Sequence, residues 1–155
     1  MKTLLTVLLA LLCIVSLTAC TESEKTEYDV LSDMIGNIDI SRGEVAAYTS
    51  QHELTDKGTT YGEVIFPDQS FRDAIQSNKD WKALPMSNDL AAYIFNEDDP
   101  LIPAATNGYY YFRDRHPNST DAGNESQFLT RDEMHYMVAV YNTDTQTLYI
   151  YVYDT

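Results

Sequence analysis

Apolar residues are concentrated at the two ends of this chain and are spaced differently at each. Leu4 to Leu17 is almost unbroken, whereas Met134 to Tyr141 and Thr147 to Tyr153 mix aliphatic and aromatic β-formers around Thr143-Asp144-Thr145-Gln146. The second pattern predicts an antiparallel hairpin. With Thr143 opposite Thr147, the loop would be Asp144-Thr145-Gln146, a type I turn plus bulge with Gln146 in the left-handed region. That register sorts Val138, Val140, Leu148, Ile150 and Val152 onto one face, and His135, Met137, Tyr141, Tyr149, Tyr151 and Tyr153 onto the other. A slip by one residue mixes the two sets, so the segregated register is expected, with the tyrosine face at least partly open.

Between the two ends the elements are shorter. Val30, Leu31, Met34 and Ile35 recur at helical intervals before Gly36, predicting a short helix over 29–35. Residues 44–51 and 60–66 read as a first hairpin with its loop around Asp56 to Gly58. Asp68 can cap a helix carrying Phe71, Ala74 and Ile75 on one side, with Trp81 just beyond. After Pro85, Ser87 or Asn88 can cap another helix that presents Leu90, Ala91, Ile94 and Phe95. A loop from Glu97 to Asn107 leads into an aromatic strand over 108–112, and a polar loop from Asp114 runs to about Ser126. The expectation is an α+β domain of two layers, a mainly antiparallel sheet with short helices packed on one face.

The N-terminal apolar run changes the picture of where this domain works. Lys2 gives a positive start, Leu4 to Leu17 an apolar core, and Leu17-Thr18-Ala19-Cys20 resembles the lipobox of bacterial lipoproteins. The division implied is 1–19 as signal peptide, 20–28 as a flexible tether and 29–155 as one domain. The resemblance further implies lipid on Cys20, and hence a protein held at the cell membrane on its extracytoplasmic face. Cys13 would leave with the signal, so an exported chain keeps no second Cys for a disulfide.

Charge narrows the partners. A formal net charge of −14, with ten Lys and Arg that form no run, disfavours nucleic acid, which is bound by neutralising phosphates. A basic partner fits that field, as does the bland reading of simple solubility.

Candidate chemistry is sparse. Asp114 and His116, two apart in Arg113-Asp114-Arg115-His116, could point to one side as base and orienter or as metal ligands; Asp121 and Glu125 follow in the same loop. Solvated or locally paired charges are the commoner outcome for such a cluster. Glu97-Asp98-Asp99 lacks the spacing of a calcium loop, and His52 and His135 are isolated. Ser-hydrolase elbows and Gly-rich phosphate loops do not occur, so no catalytic residue, metal or cofactor is assigned. Eight of the twelve tyrosines lie from Tyr109 onward, and a ladder of Tyr141, Tyr149, Tyr151 and Tyr153 could stack on a glycan or anchor an envelope protein.

A second resemblance covers Val45 to Thr155. Gly108-Tyr109-Tyr110-Tyr111-Phe112-Arg113-Asp114-Arg115-His116 and Val138-Ala139-Val140-Tyr141-Asn142-Thr143-Asp144-Thr145-Gln146-Thr147-Leu148-Tyr149 are similar to segments of small uncharacterised proteins common in Gram-positive bacteria. It implies a shared hairpin and fold, and no catalytic residues. The reading at this point is a non-enzymatic binding module. The alternatives are an inhibitor or immunity-type protein for a basic partner, and an envelope enzyme using Asp114 and His116.

Overall fold

The structure is a computed structural model that describes residues 25–52 and 57–155. The lipobox, Cys20, the tether up to Glu24 and the Asp56 part of the first hairpin loop lie outside the described residues. Those described form one six-stranded sheet and four short helices. In chain order they are α1 (Glu27–Met34), β1 (Glu44–His52), β2 (Gly58–Ile65), α2 (Ser70–Gln76), β3 (Trp81–Ala83), α3 (Asn88–Ile94), β4 (Gly108–Asp114), α4 (Glu125–Phe128), β5 (His135–Asn142) and β6 (Thr147–Asp154). The strand order is β1-β2-β6-β5-β4-β3, and every neighbouring pair is antiparallel. None of the described helices is long and apolar enough to cross a membrane.

Local chemistry accounts for the helix ends. Thr26 caps α1 with a reciprocal pair of bonds: Asp29 N donates to Thr26 Oγ1, and Thr26 N donates to the Asp29 carboxylate. Helical structure therefore starts at Glu27, inside the segment 20–28 that the sequence reading gave to the tether. Gly36, at φ 86°, takes the left-handed conformation that ends the helix. The α1 helix then settles onto β2 because Gly62 has no Cβ; one added there would lie 2.5 Å from Leu31 Cδ2. Asp68 does not cap α2, whose N-cap is Gln69 without a side-chain bond; its carboxylate accepts from Ser70 N just ahead of the helix, while the Ser87 hydroxyl caps α3 by accepting from Leu90 N.

The sheet is covered on both faces, not on one. Leu31, Ile35, Phe71 and Ile75 of the α1 and α2 segments pack on a first face with Tyr111, Met137, Ala139, Tyr141, Leu148, Ile150 and Val152. Leu90, Ile94 and Phe128 of α3 and α4 pack on the second with Tyr110, Phe112, Tyr136, Val138, Val140 and Tyr149. Each list takes alternate residues of the same strands, which is how a pleated strand serves two cores. Within α2, Ala74 is exposed while Phe71 and Ile75 are buried.

This double burial corrects the hairpin register. Asn142 opposes Thr147, so Tyr141 pairs with Leu148, Ala139 with Ile150 and Met137 with Val152, around a four-residue loop from Thr143 to Gln146. Gln146 does lie in the left-handed region, at φ 55°. Segregating aliphatic from tyrosine side chains would be favoured only if one face met water. Here Tyr136 to Tyr141 are all buried, so neither face rejects an apolar residue and the pattern cannot set the register. Two elements escaped sequence reading altogether: β3, whose Trp81 pairs with Tyr111 at the sheet edge, and the single turn of α4.

Candidate functional site

The register lays residues in rows across the first face. Arg113 of β4 opposes Met137 of β5, which opposes Val152 of β6. One step toward the strand ends, His135 opposes Asp154, and Arg115 N donates to His135 O at 2.7 Å. Helix α1 covers this face, so that Met137 and Val152 are only 2% and 1% exposed. A cleft of about 560 Å³ is left, lined by Met137 and Val152 below, by Asp33 and Met34 of α1, and by Arg113, Asp114, Arg115, His116, Ser119 and Ala122. Arg113 and Arg115 share this face because they are two apart, and Asp114 between them, at the end of β4, also reaches the cleft wall.

Among the described residues, each Asp and Arg lining the cleft has an ion-pair partner except Arg113. Asp33 bonds Lys25, Asp154 accepts from Arg115 Nη1 at 2.7 Å and lies 3.4 Å from His135 Nδ1, and Asp114 bonds Arg131. Arg113 has no ion-pair partner among the described residues. Ser119 Oγ is buried without a hydrogen-bond partner there. His116 Nδ1 accepts from Asn118 N at 3.1 Å, so in the neutral ring the proton sits on Nε2, which remains free to donate.

Asp114 and His116 do not form the base and orienter pair considered from sequence. Asp114 is only 3% exposed; Oδ1 accepts from the backbone N of His116 at 3.0 Å and Oδ2 accepts from Arg131 Nη1. Its carboxylate fixes the start of the loop and anchors the segment after α4. The His116 ring lies instead beside His135, 5.7 Å between centroids. Asp121 turns back onto Gly123 N within the loop. Glu125 is drawn away to the second face, where Oε1 accepts from Tyr110 Oη at 2.7 Å and Lys82 Nζ at 3.0 Å. Burial raises the Glu125 carboxyl, but bonds from Ser87, Tyr110 and Lys82 together bring it below its ordinary value, while burial and Glu125 push the Tyr110 phenol up.

The tyrosines do not make an open ladder. Tyr141 is 0% exposed and sits on the first face against the rings of Phe66 and Phe71, at 6.1 and 5.1 Å. Tyr149 is buried on the second face. Tyr151 and Tyr153 are half-buried there, 6.2 and 5.8 Å from the ring of buried Tyr136. Burial pushes the Tyr151 phenol up, and Tyr136 further. The remaining sequence candidates stay apart: Glu97, Asp98 and Asp99 are exposed, and among the described residues no three His, Cys, Asp or Glu side chains come together as a metal site.

Sequence reasoning passed over Arg113, Ser119, Met34, Met137 and Val152 as site residues. The alternation of Arg113 and Arg115 on a strand was a usable signal for the cationic rim. Nothing in the local sequence foretells the Ser119 contribution or the approach of α1. No family model, curated protein or solved structure matches the chain, so no residue role is supplied by a relative.

Proposed function

We propose that the chain is a lipid-anchored extracytoplasmic lipoprotein acting as a non-enzymatic binding module, and that it binds through the cleft at Arg113. The anchoring rests on Lys2, the apolar run and Leu17-Thr18-Ala19-Cys20. With α1 starting at Glu27, the seven residue steps from Cys20 reach at most about 25 Å, so the domain would ride close to the membrane.

One observation carries the binding site: Arg113, without an ion-pair partner among the described residues, lines a cleft of about 560 Å³ with Met34, Met137 and Val152, within the size range of small-ligand sites. Catalysis by Asp114 and His116 has less to support it, because both carboxylate oxygens and the imidazole Nδ1 are already engaged by the loop and Arg131. The inhibitor reading rests on the net charge of −14 alone.

Two experiments test the proposal. Mass spectrometry of membrane-extracted protein should find an acylated N-terminal Cys20, and Cys20→Ser should release the chain or leave it unprocessed; a soluble, unmodified mature form contradicts anchoring. For the cleft, a fragment library should be read by ligand-observed NMR on the full chain in lipid nanodiscs, against empty nanodiscs. Met34→Trp, which fills the cleft from α1, should abolish the hits, and hits indifferent to it contradict the site.

A further inference from the structure

We infer that the cleft recognises the carboxylate of an apolar acid, either a free organic acid or the C-terminus of a peptide ending in an apolar residue. This rests on the cleft being the binding site. The apolar part of the ligand is set by the floor: Met34, Met137 and Val152 offer side chains with no polar atom beyond a thioether sulfur. The head group is set by what is left unpaired at the rim. Each carboxylate lining the cleft already has a cation, Asp33 with Lys25 and Asp114 with Arg131, and Arg115 is used by Asp154. Among the described residues Arg113 is the cleft's cation without an ion pair, and its fork of donors matches two carboxylate oxygens.

Two further groups on the cleft wall can donate. Neutral His116 carries its proton on Nε2, because Nδ1 accepts from Asn118 N. Ser119, which also lines the cleft, has its Oγ buried with no hydrogen-bond partner among the described residues. The same tautomer argues against a metal at the His116 and His135 rings, since binding through His116 Nε2 would displace its proton and break the Asn118 bond. The net charge of −14 opposes an anion at a distance, but at physiological salt that field is screened beyond about 8 Å.

The test is calorimetric titration of the full chain in lipid nanodiscs, with empty nanodiscs as reference. One arm uses hexanoate and hexanamide; the other uses acetyl-Ala-Ala-Leu as free acid and as C-terminal amide. In at least one arm the acid should bind about tenfold or more tighter than the amide, the ratio that loss of a charge-assisted bond produces. Arg113→Gln should remove that ratio by weakening the acid alone, with Ser119→Ala and His116→Gln weakening it less. A response confined to the peptide assigns a protein C-terminus; one confined to hexanoate, or shared by both, assigns a free acid. Acid and amide binding equally, with both lost in Met34→Trp, would overturn the carboxylate inference and keep the cleft. No probe affected by Met34→Trp would overturn both.

Discussion

The two faces of the sheet are built from the same strands yet end differently. On the second face, α3 and α4 close over Tyr136, Val138 and Val140. On the first, α1 and α2 close over Ala139, Tyr141, Leu148 and Ile150, and at one strand end a cleft remains beside exposed Arg113, with Met137 and Val152, 2% and 1% exposed, at its floor. Neighbours Arg113 and Asp114 show the contrast within a single peptide unit. Arg113 is exposed and has no ion pair among the described residues, whereas Asp114 is buried in a pair with Arg131. Aromatic content therefore does not mark the cleft; the proposed site is marked instead by a cation without an ion pair among the described residues.

The comparison can be broken most sharply in the two cores. Truncating Phe128 to Ala on the second face should cost about 3–5 kcal/mol, and Ile150 to Ala on the first about 2–5 kcal/mol, because both side chains are buried to 1% exposure or less. Denaturant melts that found Phe128→Ala nearly silent would mean the second face is open after all. The next largest effect separates the neighbours. Asp114→Asn should cost about 1.5–3 kcal/mol by weakening a buried charged bond, whereas Arg113→Gln should stay within about 0.5 kcal/mol. Equal costs would place both residues in the same environment and undo the alternation.

Tyr151→Ser should fall between, at roughly 1–2 kcal/mol, since its ring is only half-buried. A loss as large as that of Phe128→Ala would put it fully inside the core. The smallest effect is electrostatic. Folding holds the Glu125 carboxyl below its ordinary value of 4.5, so its contribution is complete above that pH and is lost as pH falls beneath it. Glu125→Gln should thus lower stability at neutral pH and flatten the acid limb of the stability profile. An unchanged acid limb would show that the bonds from Tyr110 and Lys82 do not couple to folding.

Much of the fold was legible because its signals are local. Val30 to Gly36, Asp68 with Phe71 and Ile75, and Ser87 with Leu90 and Ile94 marked helices through spacing and caps that act within a turn or two. The β5–β6 hairpin was legible as a hairpin, but its register was not. A strand buried on both sides carries no wet face to read, and the aliphatic set of Leu148, Ile150 and Val152 proved to share a core with Met137 and Tyr141 rather than with Val138 and Val140. Of the proposed site, the sequence singled out Asp114 and His116 within Arg113 to His116, and the structure brings that cluster to one end of the cleft together with Arg113 and Ser119. Roles within that cluster depend on which side of β4 each residue takes and on α1 arriving from about eighty residues earlier, and neither is written locally.

All of this turns on one register, since it both buries the tyrosines and aligns the cleft. Cross-strand nuclear Overhauser effects on isotope-labelled full-length protein read it directly. The account predicts contacts from Val152 to Met137 and onward from Met137 to Arg113, with Leu148 against Tyr141. Val152 opposite Val138 instead, with Ile150 opposite Val140, would contradict it, restoring the one-residue shift and with it a tyrosine face free of Val138 and Val140.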